Sequence, residues 1–386
     1  MCTPLDEYQQ HRLPTTSARV DSGQPGCIDR YWFVAYEPAT GRALQFTLGR
    51  YQHRNVVDAG FVVVHDGIQH NVRASRSLRS ECETHCGPLQ LEAVESAGPI
   101  HLRIGRNGGG VHGELDWTGE LPIHEQGHHC DRLNGRVAGR DGRYDQIGSL
   151  SGWLEIDGAR RDIDSWWAYR DQSWGVSANR DIPEPFTGLP PNPSEATFAF
   201  LFFSTERYRG HVRISRLDHT GDISVELIDR ATGATLPVNK LAFDAAFVDE
   251  KRPRRFTTVS VRLTTTTGES VTIEAVATGP AVVMQGLGYG GYDDGLGLGV
   301  YRGDNHIETD RYNVSHPVEV TMPDSTVTRP RHRVQPVRIQ SRSRGCVCPG
   351  IGGLTLVAES NVDSDGHLRL TNNPDAHPRH QLIRRR

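Results

Sequence analysis

The sequence predicts an all-β chain, and three observations lead there. Apolar residues recur with a period close to two through most of the 386 residues. The apolar runs are short and rich in aromatic and β-branched side chains, and Gly-containing turns separate them. No amphipathic stretch longer than about three helical turns interrupts the pattern. At about 150 residues per domain, this length implies two domains or one large one.

Two hairpins open the first half. Residues 30–37 and 42–49 flank Pro38-Ala39-Thr40-Gly41, while 61–65 and 68–72 flank Asp66-Gly67, a strong signal for a two-residue turn. Segments 89–94, 100–104 and 113–117 continue the alternation, and 152–156 pairs with 161–170 around Asp157-Gly158. Strands in this number are able to close a barrel. Five prolines between Ile182 and Ser194 cannot belong to a central strand and mark a domain boundary. Beyond it, 196–204 is a continuous apolar strand, 211–217 and 222–229 flank Thr220-Gly221, and 256–263 pairs with 270–277 across Thr267-Gly268-Glu269. From about Val327 the chain mixes Arg, Pro, Gly and Ser with little periodicity, which predicts a mostly irregular tail. The expected organisation is an irregular arm over 1–26, a first β domain over 27–185, a second over 186–321 and a basic tail over 322–386.

Charge restricts the partners. The formal net charge is -4, but from Met322 onward 11 Arg face 5 acids, or +6, leaving -10 for residues 1–321. An acidic body repels phosphate backbones, and the basic tail has no aromatic side chain to stack a base, so nucleic acid is excluded as a partner. No run of 18 apolar residues exists to form a membrane-spanning helix, and no integral membrane contact is expected. The polar N-terminus lacks the apolar core of a secretory signal, and seven scattered cysteines show no disulfide-framework spacing. Both point to reduced thiols and a cytoplasmic location. Lysine occurs only at Lys240 and Lys251, and no phosphate-binding P-loop string is present.

Two motif matches fail on context. His124-Glu125-Gln126-Gly127-His128 has the zinc-hydrolase form, which binds metal only when a helix brings both imidazoles to one face. Pro122, Gly127 and the flanking Gly119 and Gly135 speak against that helix. Gly286-Leu287-Gly288-Tyr289-Gly290-Gly291 follows an apolar run like a dinucleotide fingerprint. The Gly-rich residues after it cannot start the required helix, so a tight turn or close backbone packing against another strand is expected. The Cys82 and Cys86 pair beside His85 has no second pair at finger-like spacing.

The segment 165–176 is the most informative, since three of the six tryptophans fall within nine residues around Arg170-Asp171. As a strand it places Trp167, Tyr169, Asp171 and Ser173 on one face and Trp166, Arg170, Gln172 and Trp174 on the other. One face thus sets an acid beside aromatic rings. A purely structural reading makes Arg170 and Asp171 ion-pair partners at a barrel end and the tryptophans core.

Four stretches in a fixed order carry a resemblance. They are Tyr31-Trp32-Phe33-Val34-Ala35-Tyr36 with Gly49-Arg50-Tyr51; Val72-Arg73-Ala74-Ser75-Arg76 followed by Gly87-Pro88-Leu89; Arg143-Tyr144-Asp145-Gln146-Ile147-Gly148 leading to Arg170-Asp171-Gln172-Ser173-Trp174-Gly175-Val176; and Gly288-Tyr289-Gly290-Gly291 with Gly303 and Glu308. In these, spanning about residues 28–316, the chain resembles the carotenoid 1,2-hydratase (hydroxyneurosporene synthase) and AttH-like superfamily. The Arg-Asp-x-Ser-Trp-Gly string is the most specific of them. The resemblance implies two tandem lipocalin-like antiparallel β-barrels, or a barrel and a partly open second one, because it stops near Val320.

The resemblance further implies binding of a lipophilic molecule of isoprenoid, steroid or polyketide type. Enzymes of that family add water across an isolated alkene or template a cyclisation, with no metal and no cofactor. Such hydration requires a proton donor, ring faces that stabilise a carbocation, and a placed water. By residue type and alternation, Asp171, Tyr169 and Ser173 are the candidate catalytic residues. Trp166, Trp167, Trp174, Arg170, Tyr144, Gln146 and Tyr289 are the candidate substrate-binding residues. The rival is a non-catalytic binder of the same ligands, and the zinc hydrolase at His124 and His128 is a third reading. An Asp171 paired with Arg170 or Arg143 favours the binder; an unpaired, buried Asp171 facing a cavity favours the enzyme.

Overall fold

The computed structural model describes residues 26–78, 84–93, 98–133, 136–176, 197–217, 220–249, 251, 254–289, 297–358, 362 and 365–372. The N-terminal arm through residue 25 and the proline-rich boundary over 182–194 lie outside the described residues. Among those described, the expected architecture is present. The protein is all-β, with two antiparallel sheets, each with its own core.

In chain order the first half holds β1 (Cys27–Tyr36), β2 (Ala43–Tyr51), β3 (Val56–His65), β4 (Ile68–Ser77), β5 (His85–Cys86), β6 (Leu89–Ala93), β7 (Ile100–Ile104), β8 (Val111–Gly119), β9 (His124–Leu133), β10 (Arg136–Ile156) and β11 (Ala159–Val176). The second half holds β12 (Thr197–Thr205), β13 (Tyr208–Leu217), β14 (Thr220–Asp229), β15 (Val238–Phe247), β16 (Phe256–Thr265), β17 (Ser270–Ala277), β18 (Val282–Val283), β19 (His306–Asn313), β20 (Val320–Thr321), β21 (Val327–Thr328), β22 (Arg333–Ser343), β23 (Cys346–Ala358) and β24 (His367–Asn372). Among the described residues no helix is long and apolar enough to cross a membrane.

The first sheet runs β21-β20-β19-β4-β3-β2-β1-β11-β10-β8-β7-β6-β5, with β9 paired to β10. Alternation builds it: on β8, Val111, Gly113, Leu115 and Trp117 are buried while Glu114, Asp116 and Thr118 are exposed. The turns are those the sequence announces. Asp66-Gly67 and Asp157-Gly158 both take left-handed φ at both positions (49° and 77°; 51° and 80°), which a two-residue hairpin turn requires. The sheet curls until its β5 end meets β3 and β4. There the Cys86 thiol lies 3.5 Å from the Val57 carbonyl, and Arg76 Nε donates to the His85 carbonyl at 2.9 Å.

The second sheet runs β14-β13-β12-β23-β22-β17-β16-β15-β24. Two domain expectations are corrected here. Residues 322–386 are not an irregular tail, because β22, β23 and β24 are members of this sheet and β23 lies between β12 and β22. Their period was hidden by composition: on β22, Arg338, Gln340 and Arg342 face solvent while Val337, Ile339 and Ser341 are buried. On β23 the glycines are there for contact, since a Cβ at Gly350 or Gly352 would overlap the β12 backbone at Ser204 or Phe202. Nor does the second domain run unbroken over 186–321. The chain divides into two compact units, and 282–316 and 320–328 return to the first, where β19 pairs with β4.

That return lays a Gly-rich strap over the outer face of β2–β4. A Cβ on Gly60 would sit 2.8 Å from Leu287 Cα, and one on Gly299 (φ +69°) would overlap the Tyr51 ring. Close packing is the role of Gly286 and Gly299, where an added Cβ would meet the Asn71 and Gln69 side chains or the Tyr51 ring; Gly290 and Gly291 lie outside the described residues. Gln69 exchanges two hydrogen bonds with the Val283 backbone, at 2.8 and 3.0 Å. Buried ion pairs fasten the same strap: Arg30 to Asp58 at 2.8 Å, with Asp58 also accepting from the Gly299 N–H at 2.6 Å, and Arg73 to Glu308 and Asp310.

Candidate functional site

Strand β11 runs between β1 and β10 and carries most of the candidate residues. Its register sets Phe33 beside Arg170 and Trp32 beside Asp171, so the alternation read from the sequence is the alternation found. The consequence is a division. The ten candidate residues occupy separate places in the first unit.

Arg170, Tyr144, Gln146 and Trp174 turn inward toward the end of the curled sheet away from the β10–β11 turn. Arg170 Nε donates to Gln146 Oε1 at 3.0 Å, and its guanidinium lies 5.4 Å from the Tyr144 ring centre and 5.9 Å from that of Trp117. Gln146 Nε2 donates to the Leu121 carbonyl at 2.9 Å, Tyr144 donates to Gln172, and Gln172 donates to Asp29 at 3.1 Å. The Trp174 and Tyr144 rings are 6.0 Å apart. This is a bonded plug of polar groups.

Trp167, Tyr169, Asp171 and Ser173 lie on the opposite face. Asp171 does not pair with its neighbour Arg170; its carboxylate is 3.6 Å from Arg143 Nη1. Burial pulls the Arg143 guanidinium down, but Asp171, Asp141, Tyr169 and Asp145 outweigh it and hold it above its ordinary value. Trp167 stacks on Tyr36 with ring centres 5.9 Å apart at 8°, and Tyr169 meets Trp32 edge-on at 6.2 Å. Trp32 Nε1 donates to Gln45 Oε1 at 3.0 Å. On this face the Tyr36 hydroxyl and Gln45 Nε2 have no hydrogen-bond partner among the described residues, and both side chains are fully buried. Burial raises the Tyr36 phenol well above its ordinary range. The sequence reading named neither Tyr36 nor Gln45 as a site residue. Their signal lay in the strand pattern of β1 and β2, which puts both on the Trp32 face.

Tyr289 stands apart from all of these, its hydroxyl accepting from Arg30 Nε at 3.1 Å and its ring under the Arg30 guanidinium at 4.9 Å. It belongs to the strap. The His124–His128 string is strand β9, not helix. Four residues of strand separate the two histidine Cα atoms by about 13 Å, too far for the two imidazoles to share one zinc ion as the helical motif requires.

Trp166 opens onto a cavity. The hollow measures about 270 Å³ and lies where the β1–β2 turn, the end of β3 and the β10–β11 turn meet, at one end of the curled sheet. Its walls are Trp166, Val63, Val64, Leu154, Ile156 and Ile163, and its rim is Glu37, Arg42, His65, Arg160, Arg161 and Asp162. The rim charges are partly tied, Arg42 to Glu37 at 3.4 Å and Arg160 to Asp162 at 3.4 Å, and the His65 imidazole lies 3.2 Å from the Asp66 carboxylate. Burial first, then Arg161 and Arg42, lower the His65 pKa, so the imidazole stays neutral near pH 7. An apolar cup with a charged lip is the form of a small-molecule site. A wider hollow of about 440 Å³, lined by Ile68, Arg311–Asn313 and Thr321–Pro323, is an open groove at the edge of the sheet.

Residues 2–342 match the family described as a family of unknown function, DUF8625. The chain belongs to that family. No curated protein matches this DUF8625 protein in sequence. Solved structures that resemble it include kievitone hydratase from Nectria haematococca, at 10% identity and TM-score 0.48 over 92% of this chain and 97% of that one. CghA is similar at 10% identity and TM-score 0.48, over 86% of this chain and 88% of that one. Likeness at this level says nothing about the chemistry of a DUF8625 protein, and the family description names no activity.

Proposed function

We propose that this DUF8625 protein binds a lipophilic small molecule, of isoprenoid, steroid or polyketide type, with its apolar end in the cup beside Trp166. The cup is the observation that carries the reading: six buried apolar side chains line a half-open hollow of about 270 Å³ with a polar lip. Ligand pockets usually span about 300–1,000 Å³, so this one takes a ring or a chain end and leaves the rest of a long ligand outside. The ion pair of Asp171 with Arg143 supports binding over acid catalysis at that carboxylate, because a carboxylate tied to a guanidinium serves as a counter-ion and not as a proton donor. Trp166→Ala is expected to weaken binding of an apolar fluorescent probe about tenfold, since an aromatic wall of this kind is worth about 1–2 kcal/mol. Unchanged affinity in a folded W166A protein sinks the reading.

A catalytic reading, cofactor-free alkene hydration or cyclisation, draws its support from the other face. The Tyr36 hydroxyl and Gln45 Nε2 are buried donors among aromatic rings, placed as preorganised donors would be to the enolate oxygen that develops when water adds to an alkene conjugated with a carbonyl. Tyr36→Phe separates this from a structural role. Removing an unbonded buried hydroxyl is expected to leave stability unchanged or raise it by about 1 kcal/mol. Turnover of a candidate alkene conjugated with a carbonyl should fall about 10- to 100-fold if Tyr36 polarises that carbonyl. Equal turnover in Y36F with intact fold removes Tyr36 from the chemistry.

A further inference from the structure

Arg333, the first residue of β22, is a buried cation with no carboxylate partner among the described residues; it is 6% exposed. Its Nε donates to the Pro330 carbonyl at 3.3 Å and its Nη2 to the Val318 carbonyl, while Nη1 makes no hydrogen bond among the described residues. Arg255, buried as well, donates through Nη2 to the same Pro330 carbonyl. Two guanidinium groups thus converge on one oxygen that carries only a partial charge. Arg329 brings a third positive charge close by, held by Asp249 at 2.7 and 3.1 Å. Burial, then Arg255 and Arg329, push the Arg333 guanidinium down to about 9. It remains protonated at neutral pH, as an uncompensated charge in a place that disfavours charge.

A cation in this position is relieved by an anion. We infer that Arg333, flanked by Arg255 and Arg329, forms a site in the second unit for a small tetrahedral oxyanion: phosphate, sulfate or the end of a phosphomonoester. The open Nη1 edge of Arg333 is the direct donor, and the Arg255 guanidinium, bound to the same Pro330 carbonyl, lies beside it. A guanidinium fork suits phosphate and sulfate oxygens, and at neutral pH, where the anion is ionised, Arg333 is charged. Low exposure restricts the ligand to a small group. The site uses none of the residues of the cup, so it stands or falls independently of the lipophilic ligand.

The test is thermal unfolding of the full chain in rising phosphate, with chloride adjusted to constant ionic strength. The wild-type midpoint is expected to climb and saturate, as binding to the folded state alone requires. In Arg333→Gln the phosphate-dependent climb is expected to vanish. A flat wild-type midpoint, or an equal climb in R333Q, overturns the site. Glycerol 3-phosphate in place of phosphate separates the sources: stabilisation by both assigns a phosphomonoester group, and by phosphate alone a free ion. Should R333Q fail to fold, phosphorus NMR on the wild type decides the matter. Saturable line broadening reversed by sulfate supports the site, and a sharp line at every ratio overturns it.

Discussion

A chain ended after Thr328 does not build the second unit. Such a truncation removes β22, β23 and β24, and with them the strands between β12 and β17. Val337, Ile339, Leu354, Leu356, Leu368 and Leu370 leave the second core at the same time. At about 1.5–3 kcal/mol per buried side chain, that loss is about 9–18 kcal/mol, as large as the whole stability of an ordinary domain, about 5–15 kcal/mol. The edges of β12 and β17 would be left unpaired, which invites association between chains. The truncated protein is expected to aggregate and to lose the unfolding transition of the second unit. A monodisperse truncated chain with the full unfolding enthalpy of the intact protein would contradict the strand order.

Arg73→Gln is expected to cost about 3–5 kcal/mol, the usual consequence of removing one partner from a buried ion pair. Arg73 is fully buried and serves four acceptors: Glu308, Asp310 at 2.6 Å, the Tyr312 hydroxyl at 3.1 Å and the Gln285 carbonyl at 3.3 Å. Glutamine neutralises neither acid and leaves both carboxylates facing each other on β19. Urea unfolding measures the loss. The triple change Arg73→Gln, Glu308→Gln, Asp310→Asn should recover much of it, because the charges leave together. A loss under about 1 kcal/mol in the single variant would mean that the strap is held by its backbone contacts and not by this cation.

Much of the fold was legible because strand geometry is local. The reading of 100–104 and 270–277 as strands coincides with β7 and β17, and both Asp-Gly turns were visible from two residues each. Where the reading failed, composition concealed the period. Arg338 and Arg342 of β22 share its exposed face, and the glycines of β23 fit against β12, but Arg, Pro, Gly and Ser together resemble a disordered tail. The candidate site was legible in part for the same reason. The two faces of β11 followed from alternation, yet Trp166 and Trp167, neighbours in the chain, belong to different environments: one lines the cup, the other stacks on Tyr36.

The sequence by itself determined the all-β class, the tight turns and the side of each strand on which a residue lies. These follow from a two-residue period and from the few residues that accept left-handed φ. Only the tertiary structure decided that β1 lies beside β11, that 282–316 returns to the first unit, that Asp171 pairs with Arg143, and that Val63 and Ile163 close one cup around Trp166. Each of these joins residues far apart along the chain. No local period encodes such a meeting; it is set when the sheets curl and every buried face must find a partner.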